Sequence, residues 1–318
     1  MAGRRQKKSG RRSYAWRYRG RIVACVFVEV IIICALVIMI GWNKGVKEWF
    51  EQFEQPVLKE VDISGINSPN AILMQARGGK ILGEINGEAQ IYPASMTKIM
   101  TVILGIENFD NLDEKITLTD EMFAGLYEQD ATQAGFQPGE EVRVIDLLYG
   151  AMLPSGAECC IALADTISGS EADFAELMNK KARKLGMENT NFCDSTGLHN
   201  PDHYSTVKDI AVLMKYCIKN DTFREIVETS RHSTGVTNIH PDGITYYSTM
   251  FKNLSDPTVT GGKILGGKTG YTKEAGLCLA SWVNIRGKRY ILVTAGARGD
   301  HQTRPFHVLD AESIYQEL

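Results

Sequence analysis

Apolar positions along this chain follow three regimes. From Ile22 to Trp42 they form one block, Ile22-Val-Ala-Cys-Val-Phe-Val-Glu-Val-Ile-Ile-Ile-Cys-Ala-Leu-Val-Ile-Met-Ile-Gly-Trp42, whose single charged residue is Glu29. A helix needs about twenty mostly apolar residues to cross the hydrocarbon layer, so residues 22–42 are predicted as a transmembrane helix that tolerates one acid. Tyr14, Trp16, Tyr18 and Trp42 flank it, as expected of rings that settle at the headgroup level. A cleaved signal peptide fits less well, because no small-x-small site follows the run. Cys34 follows Ile33 rather than a small residue, which argues against a lipoprotein cysteine.

Residues 43–60 are charged and aromatic (Trp49, Phe50, Phe53) and include Pro56, which reads as a juxtamembrane stalk. From residue 61 the pattern becomes globular. Segments 71–74 and 80–85 predict a β-hairpin turning through Ala76-Arg-Gly-Gly. A helix is predicted to begin near Ser95. Three- and four-residue apolar spacing predicts further helices over 144–153, 157–167, 171–185, 207–219 and 222–228. Strands are predicted over 246–251, 276–286 and 289–297, with Gly287-Lys288 as a hairpin turn and a closing helix over 311–318. Strands at both ends and helices between them imply an α/β chain of the α+β kind. Its central antiparallel sheet is built from both chain ends, and its helices cover the sheet and form a lobe.

Charge sharpens this division. Residues 1–21 hold nine arginines and lysines and no acid, leaving 26 basic against 38 acidic residues afterwards, a net charge of −12. The basic flank predicts that residues 1–21 stay in the cytoplasm and that 61–318 lies outside the membrane. Nucleic-acid binding by the tail is the rival reading, but the adjacent span already accounts for the charge. Beyond the span stand Cys159, Cys160, Cys193, Cys217 and Cys278, whose spacing reads as buried small residues rather than a disulfide framework.

Three short motifs carry candidate chemistry. In Ser95-Met-Thr-Lys98 the serine and lysine are three apart on a helix, hence on one face, and a lysine acting as base would activate the hydroxyl. In Met152-Leu-Pro-Ser155-Gly-Ala-Glu, Pro154 ends one helix and Ser155 is read as starting the next. In Gly266-Gly-Lys268-Thr269-Gly270-Tyr271 the glycines let a substrate approach the backbone, and Lys268 would lower the amine pKa of Lys98. Taken singly, the bland readings prevail: helix caps, a solvated lysine, a surface turn. A phosphate loop, which also ends in Gly-Lys-Thr, is set aside on the spacing of its first glycine.

Together, in this order, the motifs resemble the serine acyl-transferases that bind penicillin, with signature Ser-x-x-Lys, Ser-x-Asn, Lys-Thr-Gly. Tyr92-Pro-Ala-Ser-Met-Thr-Lys, Met152-Leu-Pro-Ser-Gly, residues 191–198 with the following Tyr204-Ser-Thr-Val-Lys-Asp, and Gly267-Lys-Thr-Gly-Tyr-Thr are similar to low-molecular-mass D-alanyl-D-alanine carboxypeptidases over roughly residues 68–318. The resemblance implies a β-lactamase/transpeptidase-like fold and an enzyme of bacterial cell-wall peptide. Ser95 would be the nucleophile, Lys98 the base and Ser155 a proton relay. The N–H groups of Ser95 and Tyr271 would form the oxyanion hole. Lys268 and Thr269, beside Gly270, would hold the substrate carboxylate, and Arg304 stands where the family often has a second carboxylate partner. It implies peptidoglycan stem peptides and β-lactams as ligands, no cofactor or metal, and no nucleic-acid partner.

Two departures stand out. Ala157 replaces the Asn of the second motif. The chain also stops soon after the catalytic sheet, without the C-terminal β-domain of many relatives, so the N-terminal helix is expected to provide the anchor. Three alternatives are weighed: a β-lactamase, lacking an identified deacylating glutamate; a non-catalytic muropeptide-binding protein, motivated by Ala157; and a zinc peptidase resting on His199, Asp202 and His203.

Overall fold

The computed structural model describes residues 60–254 and 256–318. The predicted tail, the span 22–42 and nearly all of the stalk lie outside the described residues. Among the described residues no helix is long and apolar enough to cross a membrane.

The sheet draws on both chain ends. β1 (Asn70–Gln75) and β2 (Ile81–Ile85) come from the start. β7 (Thr258–Val259), β8 (Gly262–Thr272), β9 (Gly276–Ile285) and β10 (Lys288–Ala297) come from the end. The order is β2-β1-β10-β9-β8-β7, every neighbour antiparallel. Both faces are covered, which is why β9 and β10 read as near-continuous apolar runs. Alternation divides them: Ala280 and Trp282 join the main core with Ile291 and Val293, whereas Ser281, between them, meets the Tyr315 hydroxyl at 3.0 Å on the other face. Tyr315 belongs to the terminal helix α8 (Phe306–Gln316), which packs on β9 and β10.

The main core fills the other face. At its centre lies α1 (Lys98–Asn108), buried continuously from Lys98 to Gly105, with α2 (Val144–Met152), α3 (Ala157–Ser168), α4 (Glu171–Leu185), α5 (Val207–Cys217) and α6 (Asp221–Glu228) around it. A helix apolar on all sides belongs inside a lobe rather than on its surface. α5 bridges the lobe to the sheet by packing on β10, β1 and β9. Cys159, Cys160, Cys217 and Cys278 are buried in this interior, Cys193 is half-buried, and all five are free thiols.

Several predicted boundaries shift for identifiable reasons. The β9–β10 turn is Arg286-Gly287, not Gly287-Lys288: both carry positive φ (50° and 77°), as a two-residue hairpin turn requires, and Lys288 already pairs with Ile285. The predicted strand 246–251 stops early. β6 (Thr245–Tyr247) pairs with β5 (Arg231–Ser233), and then the Ser248 hydroxyl caps a short helix, α7 (Thr249–Asn253). The small pair β3 (Lys115–Thr117) and β4 (Glu141–Arg143) is too short to leave an alternation signal.

Buried Asp310 joins the two ends of the chain. Its carboxylate accepts from the Asn67 backbone and side-chain nitrogens at 2.8 and 2.7 Å, and from the Ser68 backbone and hydroxyl at 2.9 and 2.6 Å. Charged acceptors of this kind each contribute more than neutral ones. Asp310→Ala is expected to destabilise the protein by about 3 kcal/mol, read as a lower urea midpoint.

Candidate active site

The chain enters α1 through a 3₁₀ turn, Ala94–Thr97, preceded by Tyr92-Pro93. Ala94 takes φ 47°, a conformation unusual for a residue with a Cβ. Ser95 is thereby presented at the head of the buried helix, within the turn rather than at a simple cap. One turn on, Lys98 is buried and its Nζ donates to Ser95 Oγ at 3.1 Å and to the Thr196 carbonyl at 2.7 Å.

Ser155 lies between α2 and α3 with φ 74°, and Gly156, not Ser155, occupies the N-cap position of α3. The cap interpretation is therefore corrected. The left-handed backbone turns the Ser155 hydroxyl away from the α3 amides and toward Ser95, to which it donates at 2.9 Å. On its other side Ser155 Oγ accepts from Lys268 Nζ at 3.0 Å. Lys268 is buried within β8 and also donates to the Thr269 carbonyl at 2.8 Å, so the solvated surface turn is excluded.

Gly262 does stand at the first-glycine position of a phosphate loop ending in Lys268-Thr269, so the spacing objection fails. What excludes that motif is the continuous strand Gly262–Thr272, which supplies neither the loop nor the following helix. Gly270 packs closely here: a Cβ on it would sit 3.0 Å from the Ser95 nitrogen and 3.1 Å from the Pro93 carbonyl, so a larger residue would press on the Ser95 turn. Full burial and the neighbouring Lys98 hold the Lys268 amine well below the usual lysine range.

The carbonyl that meets Lys98 belongs to a loop with its own fastening. Asp194 accepts from the Thr196 amide and hydroxyl and the Gly197 amide, each at 2.7 Å, and meets His203 Nδ1 at 3.1 Å. Burial pushes the Asp194 carboxyl up, but the bond and charge of His203, with the bonds from Thr196 and Gly197, outweigh it and bring it to about 2. His203 Nε2 lies 2.9 Å from Thr97 Oγ1, and Thr101 Oγ1 donates to the Ser195 carbonyl at 2.6 Å. The Ser195 hydroxyl donates to Glu171. Gly197 has φ 78°, and a Cβ there would lie 1.9 Å from the Ala94 carbonyl, so only glycine lets this loop seat against the Ser95 turn.

A cleft opens on Ser95 and divides into two arms that share Ser95, Ser155, Thr132, Tyr271 and His301. One arm, ≈ 360 Å³, runs past Thr249 and Thr269, whose hydroxyl oxygens are 2.6 Å apart. The other, ≈ 370 Å³, runs past Ala157, Gln129 and Leu198. His301 sits edge-on to Tyr271 with ring centres 4.8 Å apart.

Structure and sequence reading agree on bringing Ser95, Lys98, Ser155, Lys268, Thr269, Gly270 and Tyr271 together. Arg304 is not among them: it is exposed, off the cleft lining, with its guanidinium 5.8 Å from the Phe306 ring centre. The zinc alternative fails on position. His203 is buried between Thr97 and Asp194, His199 is paired with Glu274 at 3.8 Å, and Asp202 is exposed. Sequence reasoning missed Thr132, Thr196, Thr249 and the Asp194–His203 pair. The Asp194-Ser-Thr-Gly197 turn composition was the one available signal.

Comparison with known proteins agrees with this geometry. The sequence profile of the family described as D-alanyl-D-alanine carboxypeptidase, peptidase S11, matches residues 57–299. D-alanyl-D-alanine carboxypeptidase DacF of Bacillus subtilis is 35% identical over 232 residues, covering 72% of this chain and 57% of that protein. DacC of Escherichia coli is 32% identical over 264 residues, 76% of this chain and 59% of that protein. The chain therefore spans less than two thirds of the length of these relatives. The crystal structure of the Streptomyces K15 DD-transpeptidase superposes with a TM-score of 0.72 at 29% identity, covering 81% of this chain and 98% of that one.

The depressed Asp194 carboxyl has a consequence for stability. Its folded-state pKa, about 2, lies below the ordinary 3.8, so its contribution is present above pH 3.8 and is lost as pH falls through about 2. Asp194→Asn is expected to lower stability at pH 7 by about 2 kcal/mol and to reduce the loss on acidification between pH 4 and pH 2. Chemical denaturation across that range measures both.

Proposed function

Because the chain belongs to the D-alanyl-D-alanine carboxypeptidase family, we propose that it is a penicillin-sensitive serine enzyme that removes the terminal D-alanine from peptidoglycan stem pentapeptides. One observation carries the reading: Lys98, Ser95, Ser155 and Lys268 form an unbroken hydrogen-bonded series with steps of 3.1, 2.9 and 3.0 Å at the floor of the cleft. Ser95 Oγ attacks the carbonyl of the penultimate D-alanine, and its proton passes to Lys98 acting as base. The N–H groups of Ser95 and Tyr271 receive the developing oxyanion. Ser155 hands a proton to the leaving amine. Lys268 backs that step well, because an ammonium whose pKa is depressed gives up its proton more readily. The C–N bond breaks, D-alanine leaves, and water hydrolyses the Ser95 ester. A β-lactam takes the same first step, but its ring amine stays tethered to the acyl group.

Likeness to a DD-transpeptidase supports a second outcome for the same acyl-enzyme, in which an acceptor amine replaces water. Residues 1–21 are read as cytoplasmic and 22–42 as a single membrane span, with the catalytic domain 61–318 held outside a bacterial cytoplasmic membrane. A chain lacking residues 1–42 is expected to leave the membrane fraction, whereas the full chain resists carbonate extraction.

The decisive experiment is labelling of the full chain, purified in detergent, with a fluorescent penicillin. Wild type is expected to label covalently, Ser95→Ala not at all, and Lys98→Met at least roughly 100-fold more slowly. Circular dichroism establishes that each variant is folded. A folded wild-type protein that takes no label overturns the enzymatic reading in favour of a muropeptide-binding protein.

A further inference from the structure

Between Leu126 and Phe136, which are buried, residues 127–135 are exposed or half-buried and form neither helix nor strand. Yet this strap supplies a wall of the cleft. Thr132 lines both arms, and Gln129, Asp130 and Ala131 line the one past Ala157. A peptide whose scissile carbonyl lies at Ser95 therefore meets the strap whichever arm it fills. Bonds inside the segment only fold it on itself: the Asp130 N–H donates to the Tyr127 carbonyl at 3.1 Å and the Ala131 N–H to the Leu126 carbonyl at 2.9 Å. An exposed segment with few buried contacts opens readily unless something fastens it.

Among the described residues, the hydrogen bonds that tie 127–135 to another element come from the first two residues of α3. The Ala157 N–H donates to the Thr132 carbonyl at 2.8 Å. Glu158 supplies the rest, its Oε1 accepting from the Ala134 and Gly135 amides at 2.6 and 3.0 Å. This acid is fully buried, its Oε2 has no partner, and it makes no ion pair among the described residues. Burial raises its carboxyl, and the amides of Gly135 and Ala134 pull it back. A carboxyl buried without a cation is costly, so the contacts it does make define what it is for. It lines neither arm of the cleft. Since α3 begins two residues after Ser155, one helix end carries both the hydroxyl that bonds Ser95 and the acid that holds the strap.

We infer that Glu158 is a positioning residue for the reaction: by holding Ala134 and Gly135 it fixes the strap as the wall against which the substrate peptide binds. This rests on the carboxypeptidase reading of the site. Glu158 acts through the strap and not on the reacting atoms, so its loss weakens binding and leaves the series from Lys98 to Lys268 in place.

The test measures D-alanine release from a soluble stem pentapeptide by the full chain in detergent, with kcat and KM separated. Glu158→Ala is expected to raise KM roughly tenfold or more while kcat stays within about threefold. Glu158→Gln keeps an acceptor oxygen at the same place, so its KM should stay within about threefold of wild type. Hydrogen exchange of the wild-type chain gives a check that needs no variant to fold. Its Ala134 and Gly135 amides should exchange roughly 100-fold more slowly than those of Thr132 and Gln133, which donate no hydrogen bond among the described residues. Three results overturn the assignment and leave the carboxypeptidase reading standing: equally fast exchange at all four amides, a kcat loss at unchanged KM in Glu158→Ala, or a KM in Glu158→Gln as high as in Glu158→Ala. A wild-type chain that neither labels with penicillin nor releases D-alanine overturns that reading, and the role of Glu158 with it.

Discussion

Two lysine amines are buried within one hydrogen-bonded series, and no carboxylate accompanies either one among the described residues. An isolated buried ammonium is costly, and an opposing acid would be the usual remedy. Here carbonyls and hydroxyls take that place: Thr196 and Ser95 around Lys98, Thr269 and Ser155 around Lys268. A carboxylate partner would hold each amine charged, and so unable to accept or release protons near neutral pH. Full burial and the neighbouring Lys98 hold the Lys268 amine well below the usual lysine range. The surrounding fold must therefore deliver four oxygens with little tolerance.

That delivery explains much of the architecture. Thr196 arrives on a loop clamped by Asp194 and His203, and His203 also touches Thr97 in the turn that carries Ser95. One imidazole thus ties the loop whose carbonyl accepts from Lys98 to the turn that presents Ser95. Ala94 and Ser155 hold left-handed backbone conformations that cost of order 1–3 kcal/mol each and persist only where neighbours enforce them. Around Ala94 those neighbours are Gly197, against its carbonyl, and Gly270, against the Ser95 nitrogen; Ser155 is held by its bonds to Ser95 and Lys268. Glycine is needed at 197 by proximity and by its positive φ. The sheet contributes by running β8 straight past the head of α1, which no surface turn would do as rigidly.

Much of this was readable in the sequence, unevenly. The helix 171–185 was predicted to the residue from its apolar spacing, and its ends carry matching chemical signals, a Ser170 side-chain cap and a left-handed Gly186. The hairpin 71–85 was readable from its glycines, and the three motifs picked out Ser95, Lys98, Ser155 and Lys268, which the fold brings together. Lys268 misled on its surroundings, since Gly-Gly-Lys-Thr-Gly reads locally as a turn and only pairing with β9 makes it a buried strand. Thr196 lies 98 residues from Lys98 and Thr249 lies 20 from Thr269; neither pair leaves a trace in local pattern. The place of Arg304, with its guanidinium 5.8 Å from the Phe306 ring centre, likewise leaves no trace in local pattern.

The missing amide at position 157 can now be given a bounded consequence. The backbone of Ala157 donates to the Thr132 carbonyl at 2.8 Å, and the next side chain, Glu158, accepts from the Ala134 and Gly135 amides at 2.6 and 3.0 Å. Burial raises the Glu158 carboxyl, yet these amides keep it seated against the cleft wall. A Cβ on Gly156 would meet Ala134 at 2.7 Å, so the wall and the second motif are fitted backbone to backbone. Ser155 is thus positioned by contacts that never involve the side chain at 157. Only what faces the cleft is lost there, a donor and acceptor replaced by a methyl group. The hydrogen-bonded series Lys98–Ser95–Ser155–Lys268 is complete without it, and the difference is confined to the lining of the arm past Ala157.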